Sequence, residues 1–338
     1  MPEQNIRLVI TEKNVPKELQ RLFFPVGKMR LFWEVQPEFI GMHSIFPCDP
    51  PFYAIVDMER RKVFAAVTQA YLLITNREAY QFGFEIAKML FLLNDEDDFK
   101  CIHAELSGNR AVCQMDLCRK IDMAQPHIND DWCSFMRIIN SYNKTKKLEY
   151  VVGFYNVKHG FGFLDNTIAI SANTAHYNRF TSYKEDIIKQ IKANQYNIDK
   201  VEQNFMKKMF ALHDITLSKE SVLPMFCRVF GIKKRNISDS QKDNLIKTKD
   251  YIESKAAYFT NLYGQNAYAL LNVFAEYEYQ YDSSSLRFLL KSDQFKLGKW
   301  VDDLIEESGK EGFSIIKYIG DKASEAAEWL RTLVKPHP

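Results

Sequence analysis

The pattern of apolar and polar positions changes character near residue 176. Before it, short apolar runs alternate with turn residues, which is typical of antiparallel hairpins. After it, apolar residues recur at three- and four-residue spacing, which predicts helices. We therefore predict an α+β fold, with an antiparallel hairpin-rich sheet in the N-terminal half covered by a helical C-terminal half. The predicted regions are 1–176, with one helix near 76–93, then 177–310 packing on the sheet, and an amphipathic helical tail at 311–338.

The strands of the first region are marked by β-branched and aromatic runs between polar turns such as Ser107-Gly108-Asn109. They are predicted over 28–35, 52–57, 62–73, 99–106, 111–117, 134–140, 147–155 and 166–172. Asn76 is the predicted cap of the one helix in this region.

Helix starts in the second region carry capping boxes, with Ser182 followed by Glu185 and Ser238 followed by Gln241. The first box predicts one long helix to about residue 212, and the second predicts a helix to about residue 263. Further helices are predicted over 218–229, 295–306 and 313–333.

The segment 262–277 separates an apolar and a polar face most cleanly. Asn266 is a suitable N-cap for it. Tyr268, Asn272 and Glu276 recur every four residues and form a polar stripe beside the apolar face. Such a stripe is either a solvated helix side or a buried polar network.

Composition indicates a soluble globular protein, since 46% of the 338 residues are hydrophobic and 26% are charged. We expect it to be cytoplasmic and not membrane-bound, because no basic-then-apolar leader and no spanning apolar run occur. The six cysteines form no CxxC pair, so we expect free thiols. We expect neither a metal centre nor a cofactor.

Charge is locally uneven although the net charge is only +2. Between residues 141 and 210, eleven Lys and Arg face six Asp and Glu, and aromatic residues are interleaved with them. Single-stranded nucleic acid favours this mixture of stacking surfaces and cations, whereas a duplex-reading helix is not evident. The candidate nucleic-acid-binding residues are Lys144, Lys146, Lys147, Tyr155, Lys158, Phe161 and Arg179.

No catalytic motif was recognised in the sequence. A Walker loop, a GxSxG elbow, an HExxH helix and the paired cysteines of deaminases are all missing. The sequence favours a non-enzymatic protein, although a site built only from carboxylates would leave no motif.

Four short motifs occur in a recognisable order, and the pattern to which they belong covers about residues 62–305. They are Tyr71 with Asn76-Arg77-Glu78-Ala79, then Asn140-Ser141, then Asn173-Thr174 before the helix at Ser182, and Tyr268 with Asn272-Val273-Phe274-Ala275-Glu276-Tyr277. This order resembles the phage/plasmid-like protein family described only as domain of unknown function 932. The chain departs from the family pattern at Asn143-Lys144 and at Ala275, where the family has Asp-Gly and Thr.

The resemblance implies a protein of a mobile element and two classes of function. One is a role in DNA transactions, as a single-strand binding or annealing protein. The other is a protein-interaction component of phage defence or counter-defence, which binds a partner or itself. The family-motif polar residues are Asn173, Tyr268, Asn272, Glu276 and Tyr277. From the resemblance we expect Asn272 and Glu276 to be buried and hydrogen-bonded, with Asn173-Thr174 as partners.

Overall fold

The structure is a computed structural model, and it describes ten stretches of the chain. These are residues 6–8, 15–35, 44–47, 51–92, 99–119, 124–127, 130–171, 179–194, 196–280 and 295–333. They form two compact units that are interleaved along the chain, whereas the predicted regions are consecutive. Unit 1 comprises Met1–Lys120, Phe135–Val151 and Ile168–Asn197, and unit 2 comprises Ile121–Ser134, Val152–Thr167 and Ile198–Pro338.

The predicted α+β class is confirmed, with antiparallel sheets in the N-terminal half and helices in the C-terminal half. The strands are β1 (Ile6–Leu8), β2 (Val26–Arg30), β3 (Phe32–Val35), β4 (Ser44–Pro47), β5 (Phe52–Asp57), β6 (Lys62–Thr68), β7 (Phe99–Leu106), β8 (Val112–Arg119), β9 (Ala124–His127), β10 (Asp130–Ser141), β11 (Glu149–Asn156) and β12 (Phe161–Ser171). The helices are α1 (Val15–Leu22), α2 (Asn76–Phe91), α3 (Phe180–Asn194), α4 (Ile198–Asp214), α5 (Val222–Phe230), α6 (Asp239–Tyr263), α7 (Ala267–Gln280), α8 (Lys296–Ser308), α9 (Ile315–Ile319) and α10 (Asp321–Thr332).

The largest sheet has the strand order β1-β7-β8-β10-β11-β12, with β9 paired to β10. Strands β10, β11 and β12 each contribute residues to both units. In unit 1, α2 packs on this sheet so closely that a Cβ on Gly83 would clash with Cδ1 of Ile138. Glycine at this helix position therefore sets the helix-to-sheet distance.

A charged pair is buried on the sheet of unit 1. The Asp116 carboxylate is fully buried and accepts two hydrogen bonds from the Arg137 guanidinium, at 2.8 and 2.7 Å. Burial by itself would raise the pKa of Asp116, but the neighbouring Arg137 charge and hydrogen bonds hold it well below its usual range. Asp116 on β8 lies opposite His103 of β7 on one side and opposite Arg137 of β10 on the other, so the three residues form one cross-strand row.

Several predicted boundaries are corrected by the structure. The segment 28–35 is two strands that belong to different sheets, and the strand predicted over 62–73 ends at Thr68. The long helix predicted after Ser182 is two helices, because α3 ends at Asn194 and α4 begins at Ile198. Asn194 and Asn197, which stand at this break, have low helix propensity. The tail helix breaks at Gly320, whose φ of +81° strongly favours glycine.

Of the predicted helix caps, those at Ser238 and Asn266 are confirmed, and those at Asn76 and Ser182 are wrong. Helix α3 begins at Phe180, so Ser182 lies inside the helix and its capping box does not start it. The Ser238 capping box is present, whereas α2 is capped by Thr75 rather than by Asn76. The Asn266 side chain accepts a hydrogen bond from the backbone N–H of Ala269. Five cysteines are buried free thiols, namely Cys101, Cys113, Cys118, Cys133 and Cys227, and Cys48 lies outside the described residues.

Candidate nucleic-acid interface

A small antiparallel sheet of unit 1, in the order β2-β5-β6, has one uncharged face. Its registers place Gly27, Val56 and Val63 in one cross-strand row, and Met29, Ala54 and Ala66 in the next. Paired residues point to the same side of a sheet and alternate along each strand, so Phe52 and Thr68 extend this face. We call these eight residues the apolar face.

Large side chains of the apolar face are open to solvent. Met29 is 50% exposed, Phe52 39% and Val63 57%, and Met58, whose sulfur lies over Gly27, is 47% exposed. The opposite side of the sheet carries Ile55, which is fully buried. A group of exposed apolar side chains on one face is typical of an interaction surface, whereas single exposed apolar residues are common on any protein.

Cations border the apolar face at the turn between β5 and β6 and along β6. Arg60 and Arg61 are exposed on that turn, and Lys62 is exposed at the start of β6. Lys144 reaches the same sheet, because its ammonium group donates a hydrogen bond of 2.8 Å to the backbone carbonyl of Ala66. The predicted basic turn is thereby attached to the edge of the apolar face.

The basic turn is built around the Asn143 side chain. Its Oδ1 accepts hydrogen bonds from the Ser141 hydroxyl, at 2.7 Å, and from the Thr145 hydroxyl, at 2.6 Å. Lys144 has a φ of +62°, a conformation that a tight turn requires. Lys146 and Lys147 follow it in the chain and are exposed, and Arg179, just before α3, is exposed as well.

The remaining candidates belong to unit 2, and one of them has to be withdrawn. Lys158 is exposed on the turn between β11 and β12, and Tyr155 is half-buried with its ring 5.9 Å from that of Tyr279. Phe161 is fully buried, with its ring edge-on to those of Trp132 and Phe259. A stacking role for Phe161 is therefore wrong, since its ring offers no face to a base.

Tyr258 is an exposed aromatic residue that the sequence analysis missed. It is 47% exposed on α6, and its ring lies 6.1 Å from that of His159. Leu262, one helical turn later, is 38% exposed. The sequence could have indicated their exposure, because neither residue lies on the helix face of α6 that carries the buried residues Ile252 and Phe259.

The polar stripe of α7 is buried. Asn272 is fully buried and donates from its side chain to the backbone carbonyl of Tyr268, and Glu276 is 6% exposed and pairs with Lys255 of α6 at 2.5 Å. The predicted burial and hydrogen bonding of both residues are confirmed. Asn173 and Thr174, their predicted partners, lie outside the described residues.

Tyr268 connects the stripe to the strands of unit 2. Its hydroxyl donates to Oδ2 of Asp130 and accepts a hydrogen bond of 3.0 Å from the indole N–H of Trp132. Asn156 donates to the other carboxylate oxygen of Asp130 at 2.5 Å. Burial, and then the Asp130 charge, raise the pKa of Tyr268 well above its usual range. Tyr268 therefore remains a neutral donor to a buried carboxylate.

The same network continues to His159 through Tyr263. Burial and the Asp130 carboxylate raise the pKa of Tyr263, and its hydroxyl lies 2.8 Å from Nε2 of His159. Burial lowers the pKa of His159, so the imidazole is neutral at pH 7. Tyr277, the last residue of the motif, is buried against Phe226 and Phe230. These contacts join α6 and α7 to the strands of unit 2.

Two motifs of the resemblance also meet in unit 1. The Asn140 amide donates to the Asn76 side chain at 2.9 Å and to the backbone carbonyl of Ile74 at 3.0 Å. The Asn76 backbone N–H in turn donates to the Tyr142 hydroxyl at 2.8 Å. All three polar side chains are buried, so these motif residues hold the start of α2 against the sheet.

Among the described residues, no group of three His, Cys, Asp or Glu side chains is placed to hold a metal ion. In the same part of the chain, no helix is both long and apolar enough to cross a membrane. Comparison with family models, curated proteins and solved structures found no match.

Proposed function

We propose that unit 1 binds single-stranded DNA across the apolar face of β2, β5 and β6. The observation that carries this proposal is the combination on one sheet of an open, uncharged face with a cationic border. An unpaired base gains free energy by stacking on an aromatic ring such as that of Phe52, while phosphates gain it from nearby Lys and Arg. A duplex hides its bases and would use only the border.

The resemblance to the phage/plasmid-like family supports a biological setting for this binding. We propose that the protein acts in DNA transactions of a phage, a prophage or a plasmid, as a single-strand binding or annealing protein. A protein partner or a second copy of the chain is the alternative occupant, because an exposed apolar face also serves protein association. The cationic border of Arg60, Arg61, Lys62 and Lys144 favours the polyanion.

Fluorescence anisotropy of a labelled oligothymidylate tests the proposal. We expect binding at low salt, and an affinity that falls between about 50 mM and about 200 mM salt as phosphate contacts release counterions. Replacing Lys146 and Lys147 together by Ala should reduce the salt slope by about 1.4, since each single-strand phosphate contact contributes about 0.7. The matched control replaces Lys189 and Lys192, two exposed lysines of α3 in the same unit, and should leave the slope unchanged.

The apolar contribution is tested separately with Phe52→Ala. Stacking on one aromatic ring contributes about 1–3 kcal/mol per base, so the affinity should fall roughly 5- to 150-fold. Leu92→Ala is the control, because Leu92 is also in unit 1 and is 77% exposed. Absence of binding at low salt refutes the proposal. Self-association that Phe52→Ala abolishes, without any binding of DNA, would support the protein-interaction alternative.

A further inference from the structure

A cavity of about 680 Å³ lies within unit 2, between α6, α7 and the segment that leads into α5. Pockets that bind small molecules typically measure about 300–1,000 Å³. The cavity therefore has the volume of a ligand site.

Small apolar side chains create the space. Ala256 and Ala269 face the cavity from α6 and α7, and both are almost fully buried. Leu223, Leu270 and Val273 complete the floor and are buried as well. Larger residues at the two alanine positions would reduce the volume above the floor, so the space there depends on their small size.

The rim of the cavity is polar and has no net formal charge. Lys219 and Arg331 are balanced by Glu220 and Glu253. Arg331 already contacts Glu328 and the backbone carbonyl of Glu220. A rim of this kind gives no strong preference for an anion or a cation. Its uncharged hydrogen-bonding groups are the side chains of Ser218, Thr260, Asn261, Gln265 and Asn266.

Backbone hydrogen bonds hold one end of the cavity in place. The N–H of Leu217 donates to the carbonyl of Gln265 at 3.0 Å, and the N–H of Ala267 donates to the carbonyl of Ile215 at 2.9 Å. Between them, Thr216 and Asn266 form an antiparallel bridge. The site is thus formed before any ligand arrives, as small-molecule sites usually are.

We propose that this cavity binds an uncharged, amphipathic small molecule. Its apolar body lies on the floor around Ala256 and Ala269, and its polar end accepts hydrogen bonds from the side-chain amides of Asn261 and Gln265. This site is separate from the apolar face of unit 1 in location and in ligand chemistry. Its test therefore does not depend on DNA binding.

Titration with Nile red tests the proposal, because this dye is uncharged, largely apolar and carries a carbonyl acceptor. We expect saturable binding with one dye per chain. Ala269→Leu places a bulkier side chain on the floor of the cavity and should weaken the affinity at least tenfold. Ala257→Leu, at the exposed edge of the cavity, is a second variant that leaves the floor intact and should also weaken binding. Thermal unfolding of each variant shows that the protein is folded.

Two controls separate this site from other apolar surfaces. Phe52→Ser changes the apolar face of unit 1 and should leave dye affinity unchanged. The anionic dye 1-anilinonaphthalene-8-sulfonate should bind more weakly than Nile red. The proposal is overturned if Nile red does not saturate, if folded Ala269→Leu and Ala257→Leu bind it as the wild type does, or if the anionic dye binds more tightly.

Discussion

Removal of one hydroxyl group, in Tyr268→Phe, tests whether Asp130 fastens α7 to the strands of unit 2. The variant keeps the ring and its packing. It deletes a donor to the fully buried Asp130 carboxylate and an acceptor for the Trp132 indole. Asn156 still donates to Asp130, and the Trp132 N–H remains 3.3 Å from Oδ2. The Asp130 carboxylate therefore loses one hydrogen-bond donor and keeps those of Asn156 and Trp132.

The expected cost follows from the kind of hydrogen bond that is lost. A hydrogen bond to a charged group contributes about 1.5–3 kcal/mol, and the buried site gives water no route to replace it. We therefore expect a loss of about 2–3 kcal/mol in the free energy of unfolding. For a unit of about 150–250 residues, 1 kcal/mol corresponds to about 2–4 °C in Tm, so Tm should fall by about 4–12 °C.

Urea unfolding followed by tryptophan fluorescence measures this loss. Tyr258→Phe is the matched control, because it removes the same group from an exposed tyrosine and should change stability by less than about 0.5 kcal/mol. Combining Tyr268→Phe with Asp130→Asn should show a coupling of about 1–2 kcal/mol, since the hydroxyl then faces a neutral acceptor. Equal stability of Tyr268→Phe and Tyr258→Phe would refute the reasoning.

Two further predictions concern unit 1. Arg137→Leu removes the guanidinium that donates two hydrogen bonds to the buried Asp116 carboxylate and should cost about 3–5 kcal/mol at pH 7. Because Arg137 holds the pKa of Asp116 below its usual range, the pair stabilises the fold fully above about pH 4 and loses this effect as pH falls through the folded pKa. The difference between variant and wild type in urea unfolding should therefore shrink in acid, and a constant difference would contradict the assignment. Gly83→Ala should cost about 1–2 kcal/mol despite the better helix propensity of Ala, because its Cβ meets Ile138. Adding Ile138→Val should recover part of that loss in thermal unfolding, and no recovery would show that another contact is responsible.

The features that sequence alone could predict are those set by neighbours in the chain. The hairpin of β10 and β11, the Ser238 capping box and the Asn266 cap each depend on a few consecutive residues. The division of 28–35 into two strands depends on which strand each half pairs with. That choice is made across the fold, so periodicity could not reveal it.

The candidate interface was predictable in its charges and not in its apolar part. Lys144, Lys146 and Lys147 form a polar turn between two strands, and turns are exposed. The apolar face joins Met29 with Phe52 through the register of β2 against β5. Each residue by itself predicts only a strand, and only the pairing shows that both point to the same open side.

The polar stripe of α7 shows why a motif and a function need different evidence. Tyr268 and Asp130 are 138 residues apart in sequence, so nothing near α7 indicates whether the stripe faces solvent or a carboxylate. In the structure, Tyr268, Asn272 and Glu276 are buried and hydrogen-bonded within unit 2. Such residues would be needed for folding whatever the protein binds. The motif therefore provides evidence on the fold, and the function has to be sought on the open apolar face and in the cavity.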